Sequence, residues 1–184
     1  MLMEILERRR LLTVTVNETS PGFYEINGDD SDNTIVISVS QNDQSFTLDG
    51  VTYTGVNYIY VFGNGGNDTI DVSAPSAGSI GASIDGGDGN DQLCLNFDGV
   101  VWGGAGDDIV ILTDSFRGQV SGDEGNDQIY GDGGSNHIYG LGGNDTIYCR
   151  NGAADDVDGG SGANFMYGDY VEGQVTNICH VFCG

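Results

Sequence analysis

Lysine is absent from this chain, and five arginines and two histidines stand against 28 aspartates and glutamates, a formal charge of −23. Without lysine there is no phosphate-binding P-loop, and neither an HExxH metalloprotease helix nor a GxSxG nucleophile elbow occurs. Charge also excludes nucleic acid as a partner, since an acidic chain repels phosphate instead of releasing its counterions. Proline occurs twice. No segment reads as a transmembrane span, and residues 1–12 are too short and too charged for that or for a conventional secretory h-region. Helix is expected to be nearly absent, because 32 glycines recur too often to leave a helical window and each costs about 1 kcal/mol relative to alanine inside one.

What is present is repetition. Six copies of one nine-residue phrase run through the middle of the chain: glycine, glycine, any, glycine, any, aspartate, any, apolar, any. The clearest begin at Gly86, Gly103, Gly122 and Gly140, with copies at Gly63 and Gly131 close behind. A fixed period of this kind marks a stacked solenoid in which each phrase supplies a tight turn and a short strand. The apolar eighth position (Ile70, Leu93, Val110, Ile129, Ile138, Ile147 and Met166) is expected to point inward and form a narrow core. A flexible linker would have no reason to keep it.

Before the repeats, Thr13–Val16, Thr34–Val39, Ser45–Leu48, Val51–Tyr53 and Tyr58–Phe62 alternate with period two and read as half-buried strands. Asp49-Gly50 between two of them is a type I′ hairpin signal. Gly28–Asn33 looks like a degenerate copy of the phrase. The organisation expected is a targeting-like segment (1–12), a β-rich cap with the first coils (13–62), the repeat body (63–169) and a C-terminal cap (170–184).

Two phrases per coil place residues some eighteen apart on one face. The sixth-position residues Asp91, Asp108, Asp127, Asp145 and Asn164 follow at intervals of 17, 19, 18 and 19. Strands stack about 4.8 Å apart, and like charges at about 5 Å repel by roughly 3 kcal/mol at an effective dielectric of 20. Such a column needs cations between its members at neutral pH. Carboxylate and carbonyl oxygens in glycine-rich turns suit calcium better than magnesium or zinc. Calcium is expected between Asp91 and Asp108, Asp108 and Asp127, and Asp127 and Asp145. A longer insertion separates Asp68 from Asp91, and Asn164 offers Asp145 no second carboxylate. The opposite face has one good turn, Gly131 to Asn136, with Gly118 upstream and Asp155 and Asp156 downstream, so at most one weak site is expected there.

The phrase resembles the hemolysin-type, or RTX, calcium-binding repeat. The resemblance implies an all-β fold, a right-handed parallel β-roll in which two nonapeptides make a coil and the first six residues of each form a turn. It also implies calcium between turns of neighbouring coils, held by backbone carbonyls and the sixth-position aspartate. Carried onto this chain, the metal residues are Asp68, Gly86, Asp88, Gly89, Asp91, Gly103, Gly106, Asp108, Gly122, Gly125, Asp127, Gly140, Gly143 and Asp145, for about three to five Ca2+ ions. Leu6-Glu7-Arg8-Arg9-Arg10-Leu11-Leu12 is similar to the LEPR-XLL motif of bacterial surface and exported proteins, with Arg8 in place of its proline. Together these readings imply a secreted or cell-surface, calcium-folded structural or adhesion module and no enzyme. The ending Asn177–Gly184 does not resemble a type I export signal.

Other features leave alternatives open. Tyr130, Tyr148 and Tyr167 fall at the outward ninth position of one face and Tyr139 on the other. The stripe is either a surface for a glycan or protein or cross-strand packing. Of the four cysteines, Cys94 and Cys149 lie near three coils apart, too far to bridge, which leaves Cys179 with Cys183 as the pair best placed to do so. Cys179-His180 with Cys183 is also half of a zinc pattern without a matching half. His137 falls at an exposed place in a repeat. A small carbohydrate-active β-helix enzyme and a metal-free β-solenoid binding module remain as alternatives, although with 28 acids any one carboxylate pair is uninformative.

Overall fold

The computed structural model describes residues 14–75, 78–113, 117–131, 134–149, 155–168, 175–176 and 180–183. The LEPR-XLL-like segment and Cys179 lie outside them, as does the side chain of Cys183. No helix occurs among the described residues. Strands alternate between two sheets. One sheet has nine strands, ordered Thr15–Ser20, Phe23–Asn27, Tyr58–Gly65, Gly81–Asp88, Gly99–Ala105, Gly118–Glu124, Asn136–Gly142, Asp156–Asp158 and Val175–Thr176. The other has ten, ordered His180–Cys183, Phe165–Gly168, Thr146–Cys149, Gln128–Tyr130, Ile109–Leu112, Gln92–Leu95, Thr69–Ser73, Thr34–Ser40, Ser45–Leu48 and Val51–Thr54. From Phe23 and Thr34 onward every strand that continues the stack pairs in parallel with its predecessor one coil earlier. The architecture is a β-solenoid of about five turns, a β-roll.

Side-chain alternation builds the core between the sheets. In the nine-stranded sheet Ile26, Val61, Ile84, Val101, Val120, Ile138 and Val157 lie in one register column. The facing column of the ten-stranded sheet is Ile35, Ile70, Leu93, Val110, Ile129, Ile147 and Met166. Every member of both is buried. All seven apolar residues expected at the eighth position are therefore in the core. β-Branched residues suit this position because a stiff side chain stacks on its neighbours above and below.

The N-terminal end is closed by antiparallel strands, Thr15–Ser20 against Phe23–Asn27 and a Thr34–Ser40, Ser45–Leu48, Val51–Thr54 meander. Asp49 (φ 48°) and Gly50 (φ 78°) make its hairpin turn with both central residues left-handed, as the Asp-Gly pair requires. Tyr24 packs edge-on against Phe46 (centroids 5.3 Å), and Phe46 stacks on Tyr53 (4.7 Å), so aromatic rings cover the end of the core. The strand Phe23–Asn27 was not anticipated, because Gly22 and the short Phe-Tyr-Glu-Ile-Asn run gave no extended alternation.

Cys94 faces outward and is half-buried, whereas Cys149 is buried. Burial first, and then the neighbouring Asp155 carboxylate, push the Cys149 thiol up to about 12.

Two substitutions test this packing by urea unfolding at saturating calcium. Ile129→Ala removes a fully buried rung and is expected to cost about 2–5 kcal/mol. Leu141 is exposed and left-handed (φ 69°) at the second position of its turn, where Gly160 stands in the next coil and Gly87 and Gly104 in earlier ones. Leu141→Gly is expected to stabilise by about 1 kcal/mol.

Candidate metal centre

The sixth-position side chains form one continuous buried column: Asn33, Asp68, Asp91, Asp108, Asp127, Asp145 and Asn164. From Asn33 to Asp145, each backbone N–H donates to the side-chain oxygen of the next coil. Asp91 N–H donates to Asp108 Oδ1 at 2.8 Å, Asp108 N–H to Asp127 Oδ1 at 2.9 Å, and Asp127 N–H to Asp145 Oδ1 at 3.0 Å. Asp68 belongs to the same column despite the insertion that precedes Asp91, for its N–H donates to Asp91 Oδ1 at 2.6 Å. Asn33 and Asn164 close the two ends, with Asn33 N–H on Asp68 Oδ1 (2.7 Å) and Asp145 N–H on Asn164 Oδ1 (2.8 Å).

The second oxygen of each carboxylate has a different fate. Oδ2 of Asp68, Asp91, Asp108, Asp127 and Asp145 is buried with no hydrogen-bond partner. An unpartnered buried carboxylate oxygen is costly, and five in a row call for a cation or a proton. The surrounding backbone is cut to admit one. A Cβ on Gly86 would collide both with Asp91 Oδ2 and with the carbonyl oxygen of Gly103 one coil on, and Gly103 repeats this with Asp108 and Gly122. Gly63 and Gly140 do the same, and a Cβ on Gly122 would strike Asp127 Oδ2. Glycine at the first position thus lets a carboxylate and a carbonyl from adjacent coils converge. At the fourth position Gly89, Gly106, Gly125 and Gly143 all have φ between 125° and 139°, and each would strike the carbonyl of the fourth-position glycine one coil back. These residues fit calcium, which takes several oxygens from carboxylates and carbonyls in flexible turns. Among the described residues no three His, Cys, Asp or Glu side chains converge, as they would at a zinc site.

Of the residues expected around the metal, Asp88 alone stands apart, exposed at the third position of its turn and outside the buried column. A second column was missed. The fifth-position side chains Asp32, Asn67, Asn90, Asp107, Asn126 and Asn144 accept backbone N–H bonds from the following coil, as in Asn90 N–H to Asn67 Oδ1 (2.9 Å) and Asn126 N–H to Asp107 Oδ1 (2.8 Å). The signal was the recurring Asn-Asp pair at positions five and six.

The opposite edge is poor in ligands for a visible reason. Its equivalent inward column reads Tyr24, Ile59, Ala82, Gly99, Gly118 and Asn136, so its first coils fill the slot with core side chains. Asn136 N–H donates to Asp155 Oδ1 at 2.9 Å, which selects Asp155 over the exposed Asp156. Asp156 instead pairs with the exposed His137 (3.4 Å).

Burial raises the carboxyl pKa of Asp91 to about 6 and of Asp108 and Asp127 to about 7; their N–H bonds oppose the shift and neighbouring column charges reinforce it. Asp68 and Asp145 are raised too, again first by burial.

A repeat profile described as RTX calcium-binding nonapeptide repeat matches the chain in four copies, over residues 60–74, 83–99, 100–114, 119–149 and 150–170. No curated protein and no solved structure matches it.

The raised pKa values fix the sign of a pH effect. Without metal the folded chain binds protons that the unfolded chain, with carboxyls near 3.9, does not. This contribution to stability is complete below about pH 4 and is lost as pH rises through about 6 to 7. In chelator, lowering pH from 8 to 5 is expected to raise the β signal in circular dichroism. In calcium the same change is expected to weaken calcium affinity, because protons compete for the same oxygens.

Proposed function

This chain belongs to the family of RTX calcium-binding nonapeptide repeat proteins, and on that premise we propose that it is a secreted or cell-surface structural and adhesion module whose folding is driven by calcium. RTX repeats bind Ca2+, and the family is in general structural or binding rather than catalytic. Its members are typically secreted, and no helix among the described residues is long and apolar enough to cross a membrane. The observation that carries the reading is the run of five buried carboxylates, each with one oxygen unpartnered. Asp68, Asp91, Asp108, Asp127 and Asp145 hold the ions, with the first-position carbonyls of neighbouring coils converging on the same places. Calcium, when bound, supplies the positive charge that lets these groups stay ionised in a buried column. Outside the cell, where calcium reaches about millimolar levels, binding converts a self-repelling chain into a rigid rod, because ligands that bind only the folded state stabilise it by mass action.

An adhesive partner, a glycan or a protein, is assigned to the tyrosine stripe. Tyr130 and Tyr148 stack at 4.6 Å, and Tyr148 and Tyr167 at 5.2 Å, with nearly parallel rings in both cases. The facing sides of these rings are spent on cross-strand packing, so a partner meets their edges and hydroxyls. The segments 1–12, 13–62, 63–169 and 170–184 keep the roles of targeting segment, cap, calcium roll and closing cap in this reading.

The test is a far-UV circular dichroism titration of the chelator-treated chain with calcium, with magnesium as control. A cooperative gain of β signal with calcium alone is expected, and a chain already folded in chelator at neutral pH overturns the reading. Asp108→Asn with Asp127→Asn is expected to remove most of the calcium-induced signal, while Asn136→Ala changes little. Equal losses would sink the one-sided column.

A further inference from the structure

Both ends of the buried column are amides, and they are bonded in a way the aspartates between them are not. Asn164 is fully buried, and its Oδ1 accepts the N–H of Asp145 as a carboxylate would. Its Nδ2, however, donates to the carbonyl of Gly159 at 2.6 Å. That carbonyl is the first-position oxygen that stands with Asp145 Oδ2 beside Gly140. In the coils before it, the corresponding carbonyls of Gly86 and Gly103 share the space with unpartnered carboxylate oxygens. An amide proton therefore does for Gly159 what a cation does elsewhere.

Asn33 is bonded differently: a Cβ on Gly28 would meet Asn33 Oδ1 and the carbonyl oxygen of Gly63, so its amide oxygen stands beside the first-position carbonyl while its Nδ2 bonds within its own turn. Its Oδ1 accepts the N–H of Asp29 (2.8 Å), and its Nδ2 donates to Asp29 Oδ1 (3.2 Å), which also takes the Ser31 N–H (3.0 Å). The Ser31 hydroxyl, and after it Asn33, hold the Asp29 carboxyl below the usual range without a metal. The first turn is thus closed by its own side chains. Each end gap has one carboxylate and one neutral amide, whereas the gaps Asp68/Asp91, Asp91/Asp108, Asp108/Asp127 and Asp127/Asp145 have two carboxylates. The Asn136/Asp155 pair on the opposite edge has the end-gap composition, and Asn136 Nδ2 likewise donates to a carbonyl of its own turn, Gly134 (3.2 Å).

We propose that Asn33 and Asn164 are terminator rungs, Asn164 by engaging the Gly159 carbonyl with its amide proton and Asn33 by bringing an uncharged oxygen already bonded within its own turn, so that four ions bind, one in each gap between consecutive aspartates. The proposal rests on the calcium reading above and sets its stoichiometry. It also makes the two ends of the column independent of calcium, so that the ions act between rungs already in place.

Native mass spectrometry of the full chain with calcium at neutral pH tests it. Four bound ions are expected for the wild type, five for Asn164→Asp or Asn33→Asp, and four for Asn164→Ser. A wild type that binds no calcium overturns both this proposal and the calcium reading. Five or six ions in the wild type overturn the terminators alone, as does an unchanged count of four in both aspartate variants. The wild-type count decides even where a variant fails to fold.

Discussion

The structure depends on a carboxylate that serves two coils at once. In each interior rung one oxygen accepts the backbone N–H of the preceding coil, and the other is left facing a carbonyl from the following one. The first contact fixes the register between coils at the turn, where β-pairing has ended. The second has no hydrogen-bond partner in the protein, and a carbonyl oxygen converges beside it. Coil stacking and cation demand therefore arise from the same side chain. A substitution to asparagine preserves the first function and converts the second, which is why amides at the ends of the column are compatible with continuous stacking.

The fifth-position column complements this arrangement. Its side chains accept from the following coil, whereas the sixth-position side chains accept from the preceding one. Adjacent residues in one turn thus reach in opposite directions along the axis and tie each turn to both neighbours. The fifth-position bonds need no cation, since asparagine serves as well as aspartate and the residues are exposed.

Much of this was legible in the sequence because the repeat ties chemistry to position. The apolar eighth residues, the Asp91 to Asp145 column and the Asp49-Gly50 hairpin each follow from one local rule, whether period, spacing or positive φ. What was not legible depends on neighbours distant in sequence. Gly28–Asn33 reads as a degenerate copy of the phrase, but the place of Asn33 in the column is set by pairing with a residue 35 positions away. Asp68 looked separated by its insertion, yet parallel pairing of Thr69–Ser73 with Gln92–Leu95 absorbs the extra residues outside the ladder. The emptiness of the opposite edge was visible as missing carboxylates, but its cause, a slot filled by Ile59 and Ala82, required the register.

That register also shows how the two sources of stability trade places along the axis. In the coil containing Ile59, Val61, Ile70 and Val72 four large side chains meet between the sheets, and all are buried. Two coils later the inner slots hold Gly99 with Val101, Val110 and Leu112, and the next coil has Gly118 with Val120 and Ile129. At Asn136 and Ile138 one of the slots has become polar. Each lost side chain forfeits roughly 1.5–3 kcal/mol of burial. The carboxylate column persists over the same stretch, so its share of the energy holding a coil to its neighbour rises toward the C-terminal coils. On the calcium reading proposed above, the ions accordingly matter less beside the aromatic cap than in the coils from Gly99 to Cys149, where the apolar core is thinner and Asp108, Asp127 and Asp145 lie.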